Sequence, residues 1–243
     1  METAFGHALI DSLSDEPTFI TVSELDAQGR PTLSYPYTCH FFTRLQLAEQ
    51  YLLDAICGHK MPGRILNLGC GLGQHLRYIL ETHNRAALCH GIEPCDLLRQ
   101  HLQISLPGTG HYLVPSLADL PESRYDLILC LGTMPHVFTT QRQSRKLLQH
   151  LVQFRLNTGG RLLITTQDFR RKRFEVLNLT IAYEEHKDGP FSWGLAGEKW
   201  LDLQMEELKM TKTGYCNSAG DEGTYITTWT GRPTGEKFIA LIA

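Results

Sequence analysis

One stretch of the chain brings together residues whose types and spacing could do chemistry. Asn67-Leu-Gly69-Cys70-Gly71-Leu-Gly73 carries three glycines at alternate positions, directly after the apolar run RILNL and directly before a helical pattern. Glycines at a strand-to-helix turn let the backbone bend sharply and let a ligand come close where any Cβ would collide. Glu93 closes the next apolar run, AALCHGIE, about 20 residues after the loop, where a carboxylate can accept both hydrogen bonds of a ribose diol. Loop and acid together predict a nucleoside-bearing cofactor lying across the ends of two neighbouring strands.

The spacing narrows the ligand. A dinucleotide fingerprint, G-x-G-x-x-G, needs its third glycine at position 74, but Gln74 stands there and the third glycine is Gly73. That fingerprint also reserves the helix amino terminus for a pyrophosphate. The G-x-G-x-G form instead resembles motif I of the class I S-adenosylmethionine-dependent methyltransferases, whose ligand carries no phosphate. The resemblance runs from about Arg64 to Thr166. It implies S-adenosyl-L-methionine as cofactor, with Gly69, Cys70, Gly71 and Gly73 forming the loop against it and Glu93 holding the ribose. It further implies Ser116 and Leu117 beside the adenine, Leu131, Gly132 and His136 near the methionine part, and Asn67 near the amino end of that part. Two positions depart from the family pattern. Asn67 stands where an acid is more usual and keeps a hydrogen-bond acceptor without its charge, and Ser116 stands where many members carry an aspartate.

The elements that must position these residues follow from periodicity. From Arg64 onward short apolar runs alternate with longer helical stretches, the sequence form of a parallel sheet wound with helices. Strands are predicted at RILNL, AALCHGIE, HYLV, YDLILCL and RLLITT. Helices are predicted from about Gly73 to Glu81, from about Asp96 to Leu102, and over Leu147, Leu148, Leu151, Val152 and Phe154, the last closing at Asn157-Thr-Gly-Gly. The expected fold is α/β, a doubly wound, mostly parallel seven-stranded sheet of the Rossmann-like methyltransferase type with an amino-terminal extension. Residues 1–60 are expected to form that extension or lid: a hairpin over TFITVSELDAQGRPTLSY turning at Asp26 to Arg30, then a helix over FFTRLQLAEQYLLDAIC ending near Gly58. Residues 61–243 are expected to form the cofactor-binding domain, with an insertion at about 169–220. Towards the end, Trp200, Leu201, Met205 and Leu208 fit a helix. TYITTW and FIALIA fit closing strands, with a hairpin turn at Asp221-Glu222-Gly223.

Composition excludes several partners. A net charge of −3 creates no field towards nucleic acid or an anionic membrane, and Arg170-Arg-Lys-Arg173 is the one compact basic run, so nucleic acid is disfavoured as a partner. The Asn/Asp-Pro-Pro-Tyr/Phe motif of methyltransferases that modify base amines is absent, since the matching segment reads Gly132-Thr-Met-Pro-His136. Seven widely spaced cysteines, with no Cys-x-x-Cys pair and no zinc spacing, predict no metal and a reduced, cytoplasmic setting. No secretory leader is evident, and no apolar stretch approaches the ~18 residues a membrane span needs. The expected reaction is methyl transfer to an oxygen or nitrogen of a small-molecule acceptor. His136 is the candidate base, and Tyr37, Phe41 and Trp193 are candidate substrate walls. The alternatives are a methyltransferase for protein or RNA, and a cofactor-binding protein without methyl transfer. Oligomeric state is not written in the sequence.

Overall fold

The computed structural model describes residues 3–14, 17–39, 43–45, 47–59, 61–84, 86–106, 110–131, 139–166, 173–217, 225–231 and 240–242. The core alternates strand and helix from β3 (Arg64–Leu68) through α3 (Gln74–Thr82), β4 (Leu88–Ile92), α4 (Asp96–Ser105) and β5 (Tyr112–Val114). It continues through β6 (Tyr125–Cys130), α5 (Gln141–His150) and β7 (Leu156–Thr166). Three of the closing elements are α6 (Glu198–Glu207), β10 (Met210–Asn217) and β11 (Tyr225–Gly231), with β12 (Ala240–Ile242) after them. These strands make one sheet in the order β12-β10-β11-β7-β6-β3-β4-β5. The five from β7 to β5 are mutually parallel, and β11 runs antiparallel beside β7.

Among the described residues eight strands, rather than the expected seven, build this sheet. The last run of the chain supplies β12, which adds parallel to β10 with Gly214 opposite Ala240. Two sequence readings near β7 also change. The helix before it does not close at Asn157: α5 ends at His150, a π turn covers Leu151–Arg155, and strand pairing begins at Leu156 opposite Tyr125. Gly159 takes its positive φ of 73° inside the irregularity where the β6–β7 register slips, so this glycine serves a bulge and not a helix end.

The central strands are buried on both faces because helices cover both. On one side Leu66 and Leu68 of β3, Ile128 of β6 and Leu162 of β7 pack with Leu148 of α5 and Trp200 and Leu201 of α6. On the other, Ile65, Leu127, Leu129 and Leu163 meet Leu76 and Ile79 of α3 and Leu52, Leu53 and Ile56 of a preceding helix, α2 (Leu47–His59). Buried Arg161 of β7 donates to the Ile56 carbonyl and so ties α2 to the sheet.

A second sheet joins the amino-terminal segment to a stretch that follows β7. The predicted hairpin is present as β1 (Phe19–Leu25) and β2 (Pro31–Thr38). β1 also pairs antiparallel with β8 (Phe174–Tyr183), and β8 pairs with β9 (His186–Ala196), giving the order β2-β1-β8-β9. Beneath this sheet lies α1 (Ala4–Asp11), which the sequence reading missed. Thr3 caps it by accepting the Gly6 N–H at 2.8 Å. Ala8 and Leu9 of α1, Ile20 and Val22 of β1, Ile181 of β8 and Leu98 of α4 share a third core. The two sheets thus meet through α1 and α4. No described helix is long and apolar enough to cross a membrane.

Candidate functional site

The chain winds β3, β4, β5 in one direction and then returns to the other side of β3 for β6. At such a switch point the loops after the strands diverge and leave a crevice at the carboxyl ends, where ligands of open α/β sheets bind. A cavity of about 540 Å³ opens there. Its floor is the run of strand ends: Leu68 to Gly71 after β3, Ile92 to Cys95 after β4, Leu117 after β5 and Leu131 after β6. Its roof is Thr3, Phe5 and Leu9 of the amino-terminal segment with Ile181, Asp188 and Phe191 of the β8–β9 pair. The volume lies within the range of about 300–1,000 Å³ usual for small-molecule sites.

The glycine loop has the conformation its sequence demands. Gly69, Gly71 and Gly73 lie at φ 65°, 51° and 75°, in the left-handed region that side chains with a Cβ resist. The loop is strung from its neighbour strand, since Gly69 and Cys70 both donate to the Ile92 carbonyl at 2.7 and 3.0 Å. Two of the glycines meet different surroundings. A Cβ on Gly73 would sit 2.1 Å from Leu102 Cδ1 of α4, so this glycine lets helix and loop touch. A Cβ on Gly71 would meet no atom within 4 Å, and this residue faces the cavity.

Glu93 is the acid of the site and is buried. Its Oε2 accepts the Gly71 N–H at 2.8 Å and its Oε1 accepts the Cys95 N–H at 3.0 Å, so the carboxylate holds the glycine loop from across the crevice. Each oxygen keeps a further lone pair for a donor in the cavity. Burial raises the Glu93 carboxyl above its ordinary value, against the opposing pull of the Cys95 and Gly71 N–H groups and the Arg99 guanidinium. Arg99 is held close by, donating to the Glu93 carbonyl at 2.6 Å and to the Asp96 carboxylate.

The structure brings Gly69, Cys70, Gly71, Glu93, Leu117 and Leu131 to one cavity wall. Other sequence candidates are placed elsewhere. Ser116 does not line the cavity; its hydroxyl donates to Asp119 at 2.6 Å within the turn after β5. Asn67 is 1% exposed and sits behind the loop, level with Gly91 and Leu129 on the adjoining strands, with neither side-chain amide atom hydrogen-bonded. Tyr37 and Trp193 pack on the third core and do not line the cavity. His136, Gly132 and Phe41 lie outside the described residues.

Several lining residues escaped the sequence reading. Gln74 and His75 open α3, and Asp188 reaches in from β9, accepting the Phe5 N–H at 3.1 Å. His75 had a local signal, being two residues past the last glycine of the loop. Asp188 and Phe5 had none, since the bond joins residues 183 positions apart. Among the described residues no group of three or more His, Cys, Asp or Glu side chains is placed to hold a metal ion.

The residues present suit a nucleoside ligand with an apolar body: a desolvated carboxylate, a loop whose middle glycine leaves open space, and mostly apolar walls. The fold is that of the class I, Rossmann-like S-adenosylmethionine-dependent methyltransferases. An S-adenosylmethionine-dependent methyltransferase from Bacteroides fragilis, solved in complex with S-adenosyl-L-homocysteine, superposes with a TM-score of 0.71 at 15% identity, covering 95% of each chain. The 1,6-didemethyltoxoflavin-N1-methyltransferase of Burkholderia thailandensis, with its substrate and S-adenosylhomocysteine bound, gives 0.59 at 15% identity over 77% of this chain and 80% of that one. Magnesium protoporphyrin IX methyltransferase from Synechocystis PCC 6803, with bound S-adenosylmethionine, gives 0.54 at 14% identity over 76% and 81%. No family model and no curated protein matches the sequence.

Proposed function

We propose that the chain is a methyltransferase that uses S-adenosylmethionine to methylate an oxygen or nitrogen of a small organic acceptor. The observation that carries this reading is the Glu93 carboxylate bonded across the crevice to Gly71 of the loop, both on the wall of one roofed cavity. S-adenosylmethionine supplies a methyl group already activated by its sulfonium. The chain's task is then to bind, orient and exclude water. Glu93 accepts the ribose hydroxyls with its spare lone pairs, and Leu117 flanks the base. Leu131 borders the far end. α1, the β1–β2 hairpin and the β8–β9 pair act together as the lid, with Phe5, Leu9, Ile181 and Phe191 as its inner surface. His136, in the segment after β6, takes the acceptor's proton. A roofed cavity of this size favours a small acceptor over a macromolecule, and some neighbours of this fold act on small molecules.

Glu93→Ala removes the ribose acceptor and is expected to weaken S-adenosylhomocysteine binding by at least about tenfold, or ~1.4 kcal/mol. Titration calorimetry measures it. Unchanged affinity in a folded variant would refute the assignment of Glu93 and with it the cofactor reading.

A further inference from the structure

The strand ends fix the direction in which the ligand of the proposed function must lie. Leu117 follows β5, Glu93 follows β4, the glycine loop follows β3 and Leu131 follows β6, in the spatial order β5-β4-β3-β6. A nucleoside with its base at Leu117 and its ribose at Glu93 therefore sends its 5′ substituent past the loop towards the β3–β6 end. The wall met there is the first turn of α3, and it is polar.

Three observations converge on that turn. Gly73 is the N-cap of α3 and has no side chain to cap it, so the first-turn N–H groups carry no side-chain acceptor. His75, the second residue of the helix, lines the cavity although it is only 5% exposed. Its Nε2 is sealed from solvent 3.2 Å from Glu49 Oε1 of α2, near enough to pair but outside hydrogen-bond geometry. Gln74 also lines the cavity, with its buried Oε1 unpartnered. A buried imidazole is costly unless its polar atoms are used, and a helix amino terminus favours negative charge. An anionic group at this turn would use both.

We propose that His75, positioned by Glu49, binds the carboxylate of the cofactor's amino-acid end, together with the first-turn N–H groups of α3. The inference rests on the cofactor reading above and deepens it. The ring donates to the ligand's carboxylate from the edge facing the cavity while Glu49 fixes its plane from behind. Gln74 offers its carbonyl oxygen to the adjoining ammonium. Glu49 acts through His75 and is a positioning residue. The site selects for a nucleoside that carries the amino acid and against the same nucleoside without it. It also supplies, from α2 and α3, polar contacts at an end of the site whose wall Asn67, buried behind the loop, does not join.

The test compares two probes, S-adenosylhomocysteine and 5′-methylthioadenosine, which share the adenine, ribose and thioether but differ in the amino-acid group. Calorimetry on the full chain is expected to show His75→Ala weakening S-adenosylhomocysteine at least tenfold while 5′-methylthioadenosine changes less than twofold. Glu49→Gln should show the same selectivity with a smaller loss. Glu93→Ala should weaken both probes alike. Should His75→Ala fail to fold, His75→Gln, with its thermal melt checked, carries the same comparison. Equal affinity of the unaltered protein for both probes, or equal losses of both in the His75 variant, would overturn the proposal and leave the cofactor reading standing. Binding of neither probe to the unaltered protein would overturn both.

Discussion

Gly71 and Gly73 share a left-handed backbone, yet their substitution by alanine should have opposite consequences. Placing a Cβ on a left-handed residue costs about 1–2 kcal/mol, and both variants carry that term. At Gly73 the new methyl would also lie 2.1 Å from Cδ1 of Leu102, a 0% exposed side chain that must shift to admit it. Overpacking of this kind adds about 1–3 kcal/mol, so Gly73→Ala should lose about 2–5 kcal/mol in all. At Gly71 no protein atom lies within 4 Å of the built Cβ, so stability should fall only by the backbone term. The methyl there projects into the cavity, and S-adenosylhomocysteine affinity should drop by tenfold or more, about 1.4 kcal/mol. Urea unfolding with an unchanged m-value measures the first effect and calorimetry the second. The steric part can be isolated by the double variant Gly73→Ala/Leu102→Ala, which should be less destabilised than the sum of its single variants by about 1–3 kcal/mol. A Gly73→Ala loss below about 1 kcal/mol, or a Gly71→Ala protein that binds as tightly as the unaltered one, would refute the division of labour within the loop.

Three further outcomes follow from groups already described. Because burial raises the Glu93 carboxyl, the folded free protein holds this proton more tightly than the unfolded chain does; the group favours folding below its unfolded value, and that contribution is lost as pH rises through the raised one. Ribose hydroxyls donate to the ionised form, so the S-adenosylhomocysteine dissociation constant should climb as pH falls through the raised value, and the difference between the unaltered protein and Glu93→Gln should shrink in that range; a constant difference would refute it. Gly6→Ala should cost about 1–3 kcal/mol, since its Cβ would stand 2.4 Å from Cys95 Sγ where α1 meets the segment after β4, and Cys95→Gly should recover part of that loss in urea melts. Burial pushes the thiols of Cys39 and Cys57 up to about 11 and those of Cys89 and Cys130 up to about 12, so at pH 8 these four should resist a thiol-specific reagent until denaturant is added; mass spectrometry showing rapid labelling of any of them in the folded protein would contradict their placement.

The elements legible in the sequence were those whose signals are local. RILNL, AALCHGIE and YDLILCL are continuous apolar runs because their strands are covered on both faces, and each stands where it was expected. The hairpin of β1 and β2 was announced by Gly29 and Pro31 around its turn. The loop and Glu93 were readable because twenty-odd residues of chain are enough to carry one strand-helix-strand unit. The roof was not. α1 buries Ala4, Gly6 and Ala8 with the single large residue Leu9, which gives a short helix little amphipathic contrast. The pairing of Thr21 with Ala182 is fixed only by tertiary structure. His75 had a local signal in its place after the loop, but its approach to Glu49 joins a helix that precedes β3. Ser116 was placed by analogy of position, but the turn after β5 spends its hydroxyl on Asp119.

The pairing of β1 with β8 also sets an order of assembly. During synthesis α1 and the β1–β2 hairpin leave the ribosome before β3 to β7, and their partner strand β8 only after them. The floor of the cavity can thus form from neighbouring segments while its roof waits for a closure across most of the chain, the costlier step in loop entropy. A piece joined across so long a loop has little to hold it locally. Losing the amino-terminal segment or the β8–β9 pair would strip away the same wall, because each makes only half of it.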